Sequence, residues 1–187
     1  KHKGKPHVLY EICNEPNGVS WSQIKAYADD IIPRIRQRDP DTVIIVGTPN
    51  WSQLGADVVN NKLSYSNIMY TFHFYAASHQ TSMLTAYVGS LPIFCTEWGT
   101  CDASGGGSYN YPRATEFINI MGGANSSGQK ISWCNWSWAD KLEAASELND
   151  NACDSSNWGN LTQSGQFVRD AIQNPNNNWT ACSASSP

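Results

Sequence analysis

Charged side chains are scarce in this sequence, 15% of its 187 residues against roughly a quarter in average soluble proteins. With a formal net charge of −4 it has no basic stripe to follow a phosphate backbone, so nucleic acid is disfavoured as a partner. Long apolar runs are also missing. The longest aliphatic stretch, Val43 to Val46, falls far short of the ~20 residues of a membrane-spanning helix. No Gly-rich phosphate loop follows a strand-like segment, which disfavours a nucleotide cofactor. The six cysteines include no Cys-x-x-Cys pair, arguing against a zinc site or a dithiol motif and leaving disulfides or buried thiols. The opening Lys1-His2-Lys3-Gly4-Lys5-Pro6 lacks an initiator Met and an apolar signal core, as expected of a processed chain or a piece of a longer one.

What is plentiful is apolar and aromatic: 40% of residues are hydrophobic and eight are Trp. The length suits one domain, expected over residues 1–174, followed by a polar tail or linker start over 175–187. Asn-x-Ser/Thr sequons at Asn50, Asn125, Asn135, Asn160 and Asn178, with the cysteines and the low charge, predict a secreted, extracellular protein.

Five segments have the length and β-branched or aromatic content of buried parallel strands: His7 to Asn14, Thr42 to Gly47, Asn67 to Tyr75, Pro92 to Gly99 and Ile131 to Trp138. Between the first two, Ser20 with Gln23 forms a capping-box pattern that opens a helix through Ile24, Tyr27, Ala28, Ile31, Ile32 and Ile35. Pro33 should kink it and Asp39-Pro40 should end it. Shorter amphipathic segments follow at Ala56 to Asn61, Ser82 to Val88, Arg113 to Met121 and Ser164 to Gln173. Such alternation is α/β and implies a parallel sheet with right-handed crossovers, doubly wound or a (β/α)8 barrel. In both, function gathers at the carboxyl ends of strands.

Two of those ends carry a glutamate, Glu15 and Glu97, where an unpaired carboxylate is costly to bury. Two carboxylates in one cleft are what glycoside hydrolysis needs: a proton donor and, in retaining enzymes, a nucleophile about 5 Å away. Trp51, Trp136 and Trp138 lie near strand ends, and an indole face suits the apolar C–H face of a pyranose ring. Trp51 is equally compatible with loop packing. Trp21, Trp98 and Trp133 read as packing residues, while Trp158 and Trp179 are uncommitted. His2, His7 and His79 have no ligand-like partners in sequence, and this chemistry requires neither metal nor cofactor.

The stretches Tyr10-Glu11-Ile12-Cys13-Asn14-Glu15-Pro16, Thr71-Phe72-His73-Phe74-Tyr75-Ala76, Thr96-Glu97-Trp98-Gly99-Thr100 and Trp136-Ser137-Trp138-Ala139-Asp140-Lys141-Leu142-Glu143 resemble, in this order and spacing, glycoside hydrolase family 5 and within it the bacterial-type endo-β-1,4-glucanases. The resemblance implies a partial (β/α)8 TIM barrel, strands four to eight with their helices. It implies that Glu15 is the general acid/base and Glu97 the nucleophile of a retaining double displacement. Asn14 would bind the sugar 2-hydroxyl, His73 would border the site and Tyr75 would donate to the Glu97 carboxylate. Trp136 would stack on a glucose ring, and Lys141 and Glu143 would bind neighbouring hydroxyls; a Lys141 ion pair with Asp140 or Glu143 is the competing reading. The expected substrate is a β-glucan polysaccharide or oligosaccharide. A catalytically weak carbohydrate-binding half-barrel, and a mannanase or xyloglucanase with the same machinery, are the alternatives.

The resemblance covers only the second half of that fold, leaving out three βα units. Five parallel strands cannot close an eight-stranded barrel, so a missing N-terminal fragment, a second copy in a homodimer or the rest of a longer chain is expected against the open edges. Strand parity places Cys13, Cys95 and Cys134, each two residues before Glu15, Glu97 and Trp136, on the interior face beneath the site. Cys101 and Cys153 fall in neighbouring loops within plausible disulfide reach, and Cys182 is left over in the tail.

Overall fold

A computed structural model of the chain describes residues 2–174. Its elements run β1 (Tyr10–Glu11), α1 (Trp21–Arg36), β2 (Ile44–Val46), a one-turn α2 (Pro49–Ser52), α3 (Ala56–Asn60), β3 (Ile68–Tyr75), α4 (Ser82–Thr85), β4 (Ile93–Gly99), α5 (Tyr111–Met121) and α6 (Gln163–Gln173). The expected alternation is therefore present, and the four strands form one parallel sheet in chain order. Among the described residues no helix is long and apolar enough to cross a membrane.

Local chemistry accounts for the helices. The Ser20 side chain accepts from the Gln23 backbone N–H while the Gln23 side chain accepts from the Ser20 N–H, completing the capping box, and Arg34 and Arg36 sit at the carbonyl end. α1 runs through Pro33 and buries Trp21, Ile24, Ala28 and Ile32, at helical spacing, against the sheet. Asn110 caps α5 and Thr162 caps α6 through their side chains.

Alternate residues of β3 divide the molecule into two faces. Ile68, Tyr70, Phe72 and Phe74 point into the helix-covered core, where the Phe74 ring stacks on Phe117 at 3.8 Å and on Trp98 at 5.5 Å between centroids. Thr71, His73 and Tyr75 point to the opposite face and hydrogen-bond to Glu11, Glu15 and Glu97.

Three expectations are corrected. The sheet has four strands, not five: residues 131–138 run alongside β4 with a single parallel bridge, Cys95 to Trp133. The Cys134 N–H donates to the Cys95 carbonyl, but the Trp136 N–H reaches Trp98 instead of Glu97, and this one-residue slip breaks the ladder. The second correction concerns Cys95. β4 holds one extra residue, because Thr71 pairs with Phe94 whereas His73 pairs with Glu97. The bulge turns Thr96 and Glu97 to the same face, so Cys95 joins the helix-side core with Trp98. Cys13 and Cys134 keep the expected face, where the Glu11 charge helps raise both thiols after burial, the larger cause. Third, Cys101 and Cys153 are free thiols and form no bridge; Cys101 is fully buried beside Gly99, while Cys153 is held by its backbone N–H on Asp140. Cys182, Trp179, the Asn178 sequon and the 175–187 tail lie outside the described residues.

Candidate active site

The carboxyl ends of β3 and β4, with the chain leaving β1, enclose a cleft of about 650 Å³ lined by Glu15, Trp51, His73, Tyr75, His79 and Glu97. Two close approaches build it. A Cβ on Gly47 would lie 2.4 Å from the Cys13 carbonyl oxygen and 2.8 Å from Pro16, so glycine lets β2 run against the segment that presents Glu15. A Cβ on Gly99 would lie 2.6 Å from the Tyr75 ring, so glycine lets that ring lie over the end of β4 and reach Glu97.

At the centre stands His73, 2% exposed. Its Nδ1 is 2.8 Å from Glu15 Oε1 and 3.8 Å from Glu97 Oε2, and its Nε2 is 2.9 Å from Thr96 Oγ1. One carboxylate oxygen from each glutamate and a His73 nitrogen all lie within 4.8 Å of one another. Tyr75 donates its hydroxyl to Glu97 Oε1 at 2.7 Å. Burial first, and then the Glu97 carboxylate, push the Tyr75 phenol far above its ordinary range, so it stays a donor. The Glu15, His73 and Glu97 donors are also close enough to hold a cation, a role in which metal on Nδ1 would displace its hydrogen bond to Glu15.

One wall is a left-handed turn. Asn50, Trp51 and Ser52 have φ of 54°, 57° and 59°, a conformation costly for residues with a Cβ. It is held by Ser52 Oγ donating to the Asn14 carbonyl at 2.6 Å, the Trp51 N–H donating to Pro16, and Gln53 Nε2 donating to the His73 carbonyl at 2.8 Å. The result is a Trp51 indole 55% exposed at the cleft, which favours ligand contact over loop packing.

The structure thus gathers Glu15, His73, Tyr75 and Glu97 and leaves the other expected residues at the margins. Asn14 is exposed beside the cleft, and Trp136 projects from the 131–138 segment, 47% exposed. Lys141 faces Glu143 at 3.7 Å, and both line a separate shallow depression with Tyr109 and Asp150. Sequence reasoning missed His79, Thr96 and Glu11. His79 Nδ1 lies 2.8 Å from the Tyr75 backbone nitrogen and 3.2 Å from its carbonyl oxygen, and burial lowers the affinity of that ring for a proton in the cleft wall. Its four-residue spacing from Tyr75 was the available signal. Glu11 shares strand parity with Glu15, whereas Thr96 reaches this face only through the bulge.

Comparison with known proteins agrees with this architecture. The profile described as Cellulase (glycosyl hydrolase family 5) matches residues 1–142. An endoglucanase of Thermobifida fusca is 44% identical over 186 residues, covering 92% of this chain and 39% of that protein, and endoglucanase CelA of Streptomyces lividans is 40% identical over 90% of this chain and 38% of its own length. The chain therefore spans well under half the length of these curated relatives. Among solved structures, cellulase Cel5C_n superposes with a TM-score of 0.87 at 43% identity, over 93% of this chain and 54% of that one. The catalytic domain of Thermobifida fusca endoglucanase Cel5A, in complex with cellotetraose, superposes with a TM-score of 0.84 at 42% identity, over 92% of this chain and 59% of that domain. Two glutamates bridged by a buried histidine at the ends of parallel strands, together with this breadth of likeness, make the chain a member of glycosyl hydrolase family 5, the cellulase family.

Proposed function

We propose that this chain is the C-terminal part of a retaining endo-β-1,4-glucanase and supplies its two catalytic glutamates. The observation that carries this reading is the placement of Glu15 and Glu97 oxygens within 4.8 Å of each other, with His73 on one carboxylate and Tyr75 on the other. Retaining glycosidases hold their carboxyl groups at about 5–5.5 Å, because the nucleophile must reach the anomeric carbon itself, whereas an intervening water demands more room. Glu15, partly exposed and hydrogen-bonded to His73, delivers a proton to the glycosidic oxygen; Glu97, more enclosed and receiving the Tyr75 hydroxyl, attacks as the carboxylate. Glu15 then takes the proton of the water that releases the glycosyl-enzyme. Asn14, Trp136, Lys141 and Glu143 serve neighbouring sugar rings, and Trp51 stacks on another. The substrate class is supported by the endoglucanase relatives and by the structure of one in complex with cellotetraose.

In this reading residues 1–174 are the C-terminal part of the barrel, with 131–138 running beside β4 where a further strand would lie, and 175–187 begin a linker of a secreted enzyme. Turnover requires the three preceding βα units, because among the described residues one edge of β1 is unpaired and 131–138 joins β4 by a single bridge. Without them, the chain associates through those edges with a second copy or with the missing fragment. The test compares this chain alone, and joined to those units, on carboxymethylcellulose, cellotetraose, mannan and xyloglucan. Hydrolysis of the β-glucans by the joined form alone is the expected result. Binding of cellotetraose without turnover by the joined form would replace the enzyme with a binding module, and preference for mannan or xyloglucan would replace the substrate.

A further inference from the structure

We propose that Glu11 is a positioning residue for the acid/base: through the Thr96 hydroxyl it fixes which nitrogen of His73 holds a proton, and so how that ring meets Glu15. The inference rests on the reading of Glu15 as the acid/base. It starts from a run of short contacts across the open face of the sheet. Glu11 Oε1 accepts from Thr71 Oγ1 at 2.9 Å and from Thr96 Oγ1 at 2.8 Å; Thr96 Oγ1 lies 2.9 Å from His73 Nε2, and His73 Nδ1 lies 2.8 Å from Glu15 Oε1.

Proton counting sets the direction. A carboxylate only accepts, and a threonine hydroxyl has one proton to give. Once Thr96 donates to Glu11, its oxygen has only lone pairs for His73, so Nε2 must carry a hydrogen. With the ring 2% exposed, no bulk water is at hand to substitute. Nδ1 is then left to Glu15, and the proton on that pair is the one the acid delivers. The alternative tautomer, hydrogen on Nδ1 and a bare Nε2, would leave the Thr96 oxygen and Nε2 opposed through lone pairs. The ionisable groups facing this run are Glu15 and Glu11 from the first strand region, Glu97 from β4, Tyr75 and His79 from β3 and its loop, and the thiols of Cys13 and Cys134, both of which feel the Glu11 charge. None of them competes for Nε2, whose partner is the Thr96 hydroxyl. The bulge acquires a purpose in this account, since it turns Thr96 inward beside Glu97.

Ring-nitrogen NMR of the 187-residue chain tests the proposal independently of turnover, with His2, His7 and His79 assigned by substitution. The expected result is a protonated Nε2 on His73 in the parent chain, retained in Thr96→Ser and in Thr71→Val, and shifted toward the Nδ1–H form in Thr96→Val and Glu11→Ala, which remove the hydroxyl and its acceptor. A bare Nε2 in the parent, or an unchanged pattern in both Thr96→Val and Glu11→Ala, would overturn it. In the complete barrel, Glu11→Ala should lower kcat on the order of tenfold with KM unchanged, as loss of a supporting hydrogen bond does elsewhere; an unchanged kcat would equally overturn it. A complete barrel that hydrolyses no glycan while the ring pattern behaves as described would refute the catalytic reading and leave the Glu11 linkage standing.

Discussion

The middle of the sheet and its flanks are built differently. β3 and β4 pair at five positions and bury Tyr70, Phe72, Phe74, Ile93 and Trp98 beneath α5 and its neighbours, whereas β1 pairs at two positions and the 131–138 segment at one. The site is divided along the same line. His73, Tyr75 and Glu97 stand on the middle strands, positioned by a core this chain completes by itself. Asn14, Glu15 and Trp136 stand on the flanks, where only a fuller barrel supplies a second neighbour. The surroundings of Glu97, the proposed nucleophile, are thus supplied by paired strands of this chain, while Glu15 and Trp136, the proposed acid/base and stacking platform, stand on its thinly paired flanks.

The sharpest way to break this division is Glu97→Gln in the complete barrel, which should reduce initial rates on the order of 10⁴-fold, as removal of a nucleophile does. A variant with normal rates would end the assignment. Next is the core beneath it. Phe74→Ala should cost about 3–5 kcal/mol in denaturant unfolding, because the ring is fully buried between Phe117 and Trp98, whereas Trp138→Ala, on a flanking side chain 54% exposed, should cost under about 0.5 kcal/mol. Equal losses would mean the flank is as well packed as the middle.

A third effect arises behind the flank. Glu147 is 5% exposed, has no cationic partner among the described residues, and burial pushes its carboxyl up to about 7. A raised carboxyl binds its proton more tightly folded than unfolded, so stability is greatest below the ordinary value near 4.5 and falls as pH rises to about 7. The fall should amount to about 2–3 kcal/mol, and Glu147→Gln should abolish it and raise the Tm at pH 8. A flat pH profile in the parent would remove the effect. Smallest is Trp51→Ala, expected to raise KM by about fivefold with kcat nearly unchanged, the equivalent of about 1 kcal/mol of stacking. An unchanged KM would return that indole to loop packing.

How much of this was legible depended on which forces set each feature. The capping box at Ser20 and Gln23, the apolar face of α1 and the pleat of β3 were readable, because local hydrogen bonding and burial write themselves at fixed spacings. Glu15 and Glu97 were legible as carboxylates at the ends of strand-like segments. The bulge in β4 was not, since parity assumes a regular two-residue period, and Cys95 was misplaced for that reason. Nor was the slip at Trp136, which depends on the register of two segments far apart in sequence. The left-handed turn at Asn50 to Ser52 is imposed from outside by contacts to Asn14, Pro16 and His73, and no glycine marks it.

The central claim is that Glu97 attacks the sugar directly while Glu15 handles the proton. Time-resolved proton NMR of cellotetraose hydrolysis by the complete barrel reads this from the first hemiacetal formed. Two carboxylates within 4.8 Å predict the β-anomer, with configuration retained before mutarotation sets in. A first-formed α-anomer would contradict it.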